Sequence, residues 1–428
     1  MKAKPAGADA SQMWAWAVYD WAHNAFGTIV LTFVFSTYFT RQIAPDPETG
    51  TTLWGTAVAV SALIVAVAAP VLGAIADQKG SLKPWLGGFT LATAIATAAL
   101  WFATPGQGSI TFSLILLGIG ILASQLAQVF YNSLLPHLVG PEARRKWSGW
   151  GWGLGYLGGL ACLVVIWLVF VGSDALWELS AQDGLGVRAA LLFTAAWLVV
   201  FALPLMIVTP DAPGRDKKLG HAVADGLEQL RQSLMAVWRG KTMLRFLIAH
   251  MLYIDALAAV FAMGGVFAGG AMGMSTQEVL LFGISLNVTA GFGALGFAWV
   301  DAYLGSKTTI LIALAGLIVS AAGMLIAADT VSVFWGFGMA FGVFVGPVQA
   351  ASRSFMAEAA PPALRSQLFG LFALSGKATS FIGPLLVGLV TWWTDSPRIG
   401  MSVLLPLFVA GFLLLLTVPP AERISVQR

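Results

Sequence analysis

Twelve long runs of apolar residues follow one another along the chain, and this succession constrains the fold more than any other feature. At roughly 20 residues each, the runs are long enough to cross the hydrocarbon core of a bilayer as helices. They are continuous rather than alternating, which favours helices over the strands of a membrane barrel. Pro, Gly or charged residues mark most of their ends. The runs cover approximately residues 14–39, 52–76, 85–104, 109–135, 149–172, 188–208, 243–269, 277–300, 307–327, 331–353, 368–391 and 399–418.

The composition excludes a soluble globule and several chemical functions. Of the 428 residues, 58% are hydrophobic and 10% are charged, whereas soluble domains carry about 25% charged residues. A net charge of +3 supplies no basic face for nucleic acid. Cys162 is the single cysteine, so the chain has no intrachain disulfide and no cysteine-ligated metal cluster. Phosphate-loop and serine-nucleophile motifs are also missing from the sequence, and we expect no enzymatic activity, no metal and no cofactor.

The distribution of Lys and Arg orients the twelve spans. An even number of spans places both termini on one side, and that side holds 19 of the 23 Lys and Arg residues. The opposite side holds three, Arg41, Arg188 and Arg398. Positive residues accumulate in cytoplasmic loops. We therefore expect an integral protein of the bacterial inner (plasma) membrane with both termini in the cytoplasm.

A polar stretch divides the spans into two sets of six. We expect residues 1–208 to form an N-terminal six-helix bundle, residues 209–242 a cytoplasmic linker, and residues 243–428 a C-terminal six-helix bundle. Within the linker, residues 221–238 carry apolar side chains along one side of a helix. We interpret this segment as an amphipathic helix on the membrane surface; a regulatory or partner-binding element is the alternative.

Two loops repeat one pattern, which indicates that the two halves are related. Gly, Asp, Gly and Lys recur in that order after spans 2 and 8, and a second set of matches, such as Arg144 with Arg365, lies at an offset of 221. Parallel repeats joined by a cytoplasmic loop are typical of transporters. We expect Asp77 to meet the positive end of the next helix in the chain, and we assign these loops to conformational change. The loop residues are Gly73, Asp77, Gly80 and Lys83, and then Gly296, Asp301, Gly305 and Lys307.

The first of these loops resembles the loop motif of the major facilitator superfamily, Gly-x-x-x-Asp-x-x-Gly followed by a basic residue. Other segments resemble one branch of that superfamily, which includes the vacuolar amino-acid effluxers associated with autophagy and related bacterial permeases. These segments are 19–26 (YDWAHNAF), 130–136 (FYNSLLP), 346–354 (GPVQAASRS), Ser375-Gly376-Lys377 and Gly383-Pro384. The resemblance implies an all-α integral membrane protein with the major facilitator fold, in which twelve transmembrane helices form two pseudo-symmetric six-helix bundles. It also implies that spans 1, 4, 7 and 10 line a cavity.

Three charged residues lie well inside the spans, away from the ends, where a charge costs about 2.5–3.5 kcal/mol on insertion scales and usually serves a function. Lys377 and Asp255 lie near the middle of spans 11 and 7, and Asp20 lies about six residues into span 1. One positive and two negative groups suit a zwitterion, with its carboxylate on Lys377 and its ammonium on an aspartate. The alternative is a buried ion pair that only holds the helices together.

Polar neighbours extend this predicted site. His23 and Asn24 share a helix face with Asp20, and Gln128 and Asn132 share a face of span 4. Histidine titrates nearest neutrality, so we expect His23 to relay protons. The predicted substrate-binding residues are Lys377, Asp255, Asp20, Asn24, Gln128 and Asn132, and the predicted proton-coupling residues are Asp20, His23 and Asp255.

Together these features predict a secondary active transporter that moves a small solute by alternating access. An amino acid or similar zwitterion is the expected substrate, with transport coupled to protons. Import of a sugar, an osmolyte or a drug-like solute is the alternative, and a non-transporting membrane sensor or scaffold is a further class. We expect a small-molecule substrate and membrane lipids as partners, and a monomer.

Overall fold

A computed structural model describes residues 9–171, 176–177, 184–212, 223–228, 230–232, 235, 241–274, 276–326, 330–361, 364–376, 379–380 and 382–421. Every regular element in these ranges is helical, as the apolar runs predict. In chain order the α-helices are α1 (Ala10–Ala25), α2 (Phe35–Tyr38), α3 (Pro47–Lys79), α4 (Lys83–Ala99), α5 (Ile110–Leu138), α6 (Pro141–Ile166), α7 (Leu185–Val208), α8 (Thr242–Ala271), α9 (Thr276–Leu304), α10 (Ser306–Ile326), α11 (Val331–Ala359), α12 (Arg365–Ser375), α13 (Ile382–Thr394), α14 (Pro397–Ser402) and α15 (Leu404–Leu416).

Ten helical segments in the described ranges are long and apolar enough to cross a membrane. The first and eleventh predicted spans complete the expected set, and each of them is interrupted. The first consists of α1 and α2 with wider turns between and after them. The eleventh consists of α12 and α13, of which α13 is a shorter apolar helix. The twelve-span, all-helical architecture therefore agrees with the prediction from the sequence.

The first span changes its helical geometry about half way along. Residues Phe26–Phe33 form a π-helix, in which each N–H group bonds to a carbonyl five residues earlier. The Thr32 hydroxyl follows the same spacing and donates to the carbonyl of Gly27 at 2.9 Å. A second π-helical stretch, Phe39–Ile43, ends the span. An α-helix keeps one number of residues per turn along its length. Because the turns of the first span widen twice, its two ends do not share a single helical repeat.

The chain divides into two compact units. The first comprises Met1–Ala68, Gly80–Leu138 and Leu154–Arg215, and the second comprises Ala69–Lys79, Val139–Gly153 and Asp216–Arg428. The end of α3 and the beginning of α6 therefore belong to the second unit, although the rest of both helices belongs to the first. The bundle boundaries at residues 208 and 242 stay predictions.

Small residues allow close helix packing within the second unit. A Cβ atom on Gly346 of α11 would lie 2.8 Å from the Cβ of Ala294 on α9, and one on Gly338 would meet the ring of Phe282. Because lipid tails are as apolar as the side chains, membrane helices gain from such close backbone approach. The glycines of α11 thus position the charged residues that this helix carries at its C-terminal end.

The linker helix, which belongs to the second unit, packs along one side against the end of α3. Residues 223–228, 230–232 and 235 are helical, and the other residues of the predicted helix 221–238 lie outside the described ranges. A Cβ on Gly226 would lie 3.1 Å from the backbone of Ala74 at the end of α3. Leu230 is buried, whereas Leu227 is exposed. The described part of the linker thus covers the end of α3 and keeps an apolar side chain free on its outer face.

Candidate functional site

Asp20 lies at the centre of a polar cluster in the first unit. Its side chain is 2% exposed. Tyr131 of α5 donates its hydroxyl hydrogen to Asp20 Oδ2 at 3.0 Å, and the amide of Gln128 donates to Oδ1 at 3.4 Å. Two neutral donors on one face of α5 therefore solvate this carboxylate in place of water.

The remaining predicted residues of the first unit surround Asp20. Ser124 Oγ lies 3.2 Å from His23 Nε2, one helical turn before Gln128 on α5. The amide of Asn24 donates to the backbone carbonyl of Asp20 at 3.2 Å, and Asn132 is buried in α5. The structure thus brings the predicted polar faces of spans 1 and 4 together.

Aromatic rings close one side of this cluster. The rings of Trp16 and Tyr131 stack with their centroids 4.4 Å apart, and Tyr19 stacks on Tyr131 at 4.8 Å. The Tyr19 hydroxyl shares a hydrogen bond of 2.7 Å with Thr90. The bond from Tyr131 to Asp20 depends on the packing of α5 against α1, which cannot be read from the sequence.

Asp255 lies in a second cluster, on α8 in the second unit. Its side chain is 4% exposed, and among the described residues its Oδ1 has no hydrogen-bond partner. One turn before it, His250 Nδ1 lies 2.8 Å from the hydroxyl of Ser375. Tyr253 shares a hydrogen bond of 2.6 Å with Ser352 of α11. The sequence alone does not identify Ser375 as the partner of His250, because the two residues are 125 positions apart.

The break in the eleventh span lies along the same stretch of α8. A Cβ on Gly376 would lie 3.4 Å from His250 Cε1, and one on Gly383 would lie 2.9 Å from the carbonyl oxygen of Asp255. Irregular backbone at membrane depth is tolerated where protein or a wet cavity surrounds it. Lys377, the predicted carboxylate-binding residue, falls within this break and lies outside the described residues.

The structure corrects the expectation about Asp77, the aspartate of the first loop motif. Asp77 does not cap the next helix, α4: Asp211 accepts hydrogen bonds from the N–H groups of Leu82 and Lys83 there, at 2.8 and 3.0 Å. The local sequence could not reveal this, because Asp211 is more than 120 residues away in the chain. Lys83 donates from Nζ to the carbonyl of Thr209 at 2.7 Å rather than to a carboxylate.

Asp77 instead caps a helix that is distant in sequence. Its two carboxylate oxygens accept hydrogen bonds from the N–H groups of Ser366 at 3.0 Å and Gln367 at 2.9 Å. These amides belong to the first turn of α12, whose positive end favours an anion. A Cβ on Gly73 would collide with the carbonyl of Ser366, so the first glycine of the motif permits this approach. Gly80 has φ +83°, a conformation that favours glycine.

The second loop motif lies among buried charged residues. We call this region the loop-motif end of the second unit; it comprises residues 69–79, 139–153, 301–306, 353–361 and 364–367. Arg145 Nε donates to Glu358 Oε1 at 2.7 Å, and a second nitrogen of the same guanidinium donates to Oε2 at 3.2 Å. Asp301 is 3% exposed. Gly305 has φ +82°, so the second glycine of each motif adopts the same left-handed conformation.

Arg353 is buried within the loop-motif end of the second unit. Its side chain is 1% exposed. It donates from Nε to the hydroxyl of Ser148 at 2.9 Å and places its guanidinium 5.6 Å from the ring centroid of Trp152. Arg144 donates to the carbonyl of Ala357 at 3.1 Å. These contacts hold the beginning of α6 against the end of α11 within the second unit.

Comparison with known proteins identifies relatives along nearly the whole chain. A family model described as vacuole effluxer Atg22 like matches residues 51–147 and 142–425. The MFS-type transporter YxiO of Bacillus subtilis (strain 168) is 27% identical over 97% of this chain and 96% of that protein. Autophagy-related protein 22 of Cryptococcus neoformans var. neoformans serotype D (strain B-3501A) is 27% identical over 66% of this chain. The match covers 53% of that relative, so it spans about half of the fungal protein's length.

Solved structures of transporters share the fold. The human organic anion transporter MFSD10 (TETRAN) superposes with a TM-score of 0.73 at 16% identity, covering 95% of this chain and 99% of that one. The proton:xylose symporter XylE gives a TM-score of 0.71 at 16% identity, covering 97% of this chain and 98% of that one. At such identities the likeness concerns the fold, and it confirms the predicted twelve-span fold of the major facilitator superfamily. The protein is an integral membrane transporter of small molecules rather than an enzyme, and it belongs to the Atg22-like family of vacuole effluxers within that superfamily.

Proposed function

We propose that the protein moves a small zwitterion of the amino-acid type by alternating access, coupled to protons. The observation that carries this proposal is the buried Asp255 carboxylate, whose Oδ1 has no hydrogen-bond partner among the described residues. A buried polar atom without a partner costs about 1–3 kcal/mol. A ligand ammonium group would remove that cost, and it would also balance the negative charge.

Lys377 is the proposed partner for the carboxylate of the same ligand. The sequence places it in the break between α12 and α13, and the glycines on both sides of it, Gly376 and Gly383, lie against α8 near His250 and Asp255. Broken helices near the middle of a membrane commonly form substrate and ion sites in transporters. Opposite charges near one break suit a ligand that carries both signs.

The cluster around Asp20 is the proposed proton-coupling site. Its neutral partners, Tyr131 and Gln128, donate hydrogen bonds to the carboxylate from one face of α5. His23 is the proposed relay. We further propose that Asn24, Gln128 and Asn132 supply neutral contacts to the substrate.

The relatives support export as the direction and the bacterial inner membrane as the location. The family description names an effluxer, and the relative that spans nearly the whole chain comes from a bacterium. The excess of Lys and Arg on the side of the termini supports cytoplasmic termini. A monomer is the proposed oligomeric state.

Counterflow in proteoliposomes tests this function. Vesicles loaded with unlabelled amino acids should accumulate the labelled form of the cognate one, whereas vesicles loaded with sugars, osmolytes or organic anions should not. Lys377→Gln and Asp255→Asn should abolish binding and exchange. Asp46→Asn is the matched control, because Asp46 is an exposed acid immediately before α3 that accepts hydrogen bonds from Thr49.

Two results would overturn the proposal. One is transport of a sugar, an osmolyte or an organic anion with no zwitterion transported. The other is a Lys377→Gln variant that binds and exchanges amino acids like the parent protein, since Lys377 would then have a purely structural role. A protein that moves none of these solutes would be a sensor or scaffold.

A further inference from the structure

The two loop motifs hold their aspartates in different ways, although Gly80 and Gly305 share a left-handed φ. Asp77 accepts two backbone hydrogen bonds, from Ser366 and Gln367. Asp301, its counterpart in the repeat, is 3% exposed. Neither of its carboxylate oxygens has a hydrogen-bond partner within the part of the chain that the structure describes. Asp301 is therefore shielded from water, and it lacks the backbone donors that Asp77 has.

The starting points of two helices explain this difference. At the repeat offset of 221, Ser366 and Gln367 correspond to Arg145 and Lys146. Ser366 and Gln367 lie in the first turn of α12, where N–H groups have no acceptor within the helix. The helix α6, however, begins at Pro141, four residues before Arg145. The Arg144 N–H already donates to the carbonyl of Gly140 at 2.9 Å. The amides that would cap Asp301 are therefore used inside α6.

The nearby cation is also engaged elsewhere. Arg145 forms a bidentate ion pair with Glu358, with both side chains buried. The charges of Arg145 and Glu358, which oppose each other, lie near Asp301, as do the hydroxyls of Ser306 and Ser354. The Ser354 hydroxyl donates to a backbone carbonyl of its own helix, and the Ser306 hydroxyl has no hydrogen-bond partner among the described residues.

A buried carboxylate without donors or a cation of its own is strongly disfavoured in its ionised form, whereas the neutral acid carries no such charge penalty. We propose that Asp301 is a proton-binding site: it holds a proton while the loop-motif end is packed as in this structure, and releases that proton to water when this region opens. The step breaks only the carboxyl O–H bond and leaves a carboxylate and a hydrated proton. It is independent of the proposed substrate and of the proposed coupling residues in the spans.

The sign of the pH effect follows from this step. Opening releases one proton, so raising the pH favours the open form. Where the packed form is protonated and the open form is ionised, the ratio of open to packed protein should change by about tenfold per pH unit. Asp301→Asn imitates the protonated acid and should hold the region packed at every pH.

Thiol labelling of a buried reporter measures this ratio. Ala359 of α11 is 1% exposed, so Ala359→Cys in a Cys162→Ala background should react with a maleimide only when the loop-motif end opens. Labelling rates are measured from about pH 5 to about pH 9. At each pH the rate of the protein with Asp301 is divided by the rate of Asp301→Asn, which cancels the titration of the thiol itself. This rate quotient should lie near one at low pH and should rise towards tenfold per pH unit. Asp77→Asn is the matched control, which should label faster at every pH while retaining the rise.

Two results would overturn the proposal: a rate quotient that stays constant over the pH range, and faster labelling of Asp301→Asn than of the parent at every pH. Infrared spectroscopy of the reporter protein with Asp301 intact provides a second measurement that does not depend on the folding of Asp301→Asn. The carbonyl stretch of a neutral carboxyl group should fade as labelling accelerates, and Asp301→Glu should shift that band. If no such band fades, Asp301 is not the proton-binding group.

Discussion

Tyr131 donates a hydrogen bond of 3.0 Å to Asp20, and this contact links the fourth span to the first at a carboxylate that is 2% exposed. The same tyrosine stacks on Trp16, so its ring and its hydroxyl both contact the first span. The bond gives Asp20 a neutral donor at a site where burial separates the carboxylate from water.

Removal of this donor should therefore destabilise the protein and alter its response to pH. Tyr131→Phe keeps the ring but removes the hydrogen bond of 3.0 Å to Asp20, and the loss of a hydrogen bond to a charged group costs about 1.5–3 kcal/mol. The melting temperature of the purified protein should fall, and transport should become dependent on pH in a different range from the parent. Tyr303→Phe is the control, because Tyr303 is 88% exposed. Equal melting temperatures for the two variants would contradict this prediction.

Asp20→Asn should separate exchange from proton coupling. The amide keeps the size of the side chain and can still accept from Tyr131, so the fold should persist. Counterflow exchange should continue, whereas its dependence on pH should disappear. Flux after a pH jump, compared with the parent in the same vesicles, measures this. An unchanged pH profile would show that another group carries the proton.

Asp77→Asn should slow conformational cycling more than it weakens substrate binding. Asp77 caps α12 through two N–H groups, and a charge at a helix N-terminus contributes about 0.3–1 kcal/mol. The turnover rate should fall, and the dissociation constant of the substrate should stay within about threefold of the parent value, a shift below the tenfold that 1.4 kcal/mol gives. Asp211→Asn is the control, since Asp211 caps α4 in the first unit. A large loss of intrinsic affinity with an unchanged distribution of states would argue against this role.

Gly73→Ala should reproduce the effect of Asp77→Asn by a steric route. The added Cβ would collide with the carbonyl of Ser366, which moves the amides of α12 away from Asp77. Gly88→Ala is the matched change, because a Cβ on Gly88 meets nothing within 4 Å and alanine is favoured over glycine in a helix by about 1 kcal/mol. Turnover should fall for the first variant only. If both variants cycle like the parent, close approach at Gly73 does not matter for the cycle.

Cysteine labelling in intact cells should establish the orientation. In a Cys162→Ala background, Asp46→Cys should react with an impermeant maleimide from outside, and Gln232→Cys in the linker should react only after the cells are opened. The excess of Lys and Arg on the side of the linker is the reason for this expectation. Labelling in the reverse order would invert the topology.

The sequence predicts the spans well because membrane insertion is decided by local composition. A run of about 20 apolar residues has few other structures available to it, and α-helices occur where the runs predict them. The shared faces of α1 and α5 follow from helical spacing alone. The glycine of each loop motif is also predictable, because its left-handed turn is a local property of the backbone.

The partners of the charged residues could not be predicted in the same way. Asp77 bonds to amides 289 and 290 positions away, while Asp211 takes the local role expected of it. Which carboxylate caps which helix depends on the helix ends that meet in space. A periodic sequence pattern carries no information about those meetings. His250 and Ser375 illustrate the same limit, since neither residue is distinctive until α8 and α12 are placed side by side.

The π-helical turns of the first span have a consequence for mapping this transporter by scanning mutagenesis. A helical wheel assumes a constant angle per residue, but the widened turns at Phe26–Phe33 and Phe39–Ile43 add backbone without adding the usual rotation. A wheel drawn through Asp20 and extended to Arg41 would therefore assign the second half of the span to the wrong side. Sensitive positions should recur every three to four residues up to Ala25 and at a longer interval beyond it, so each half of the span needs its own wheel.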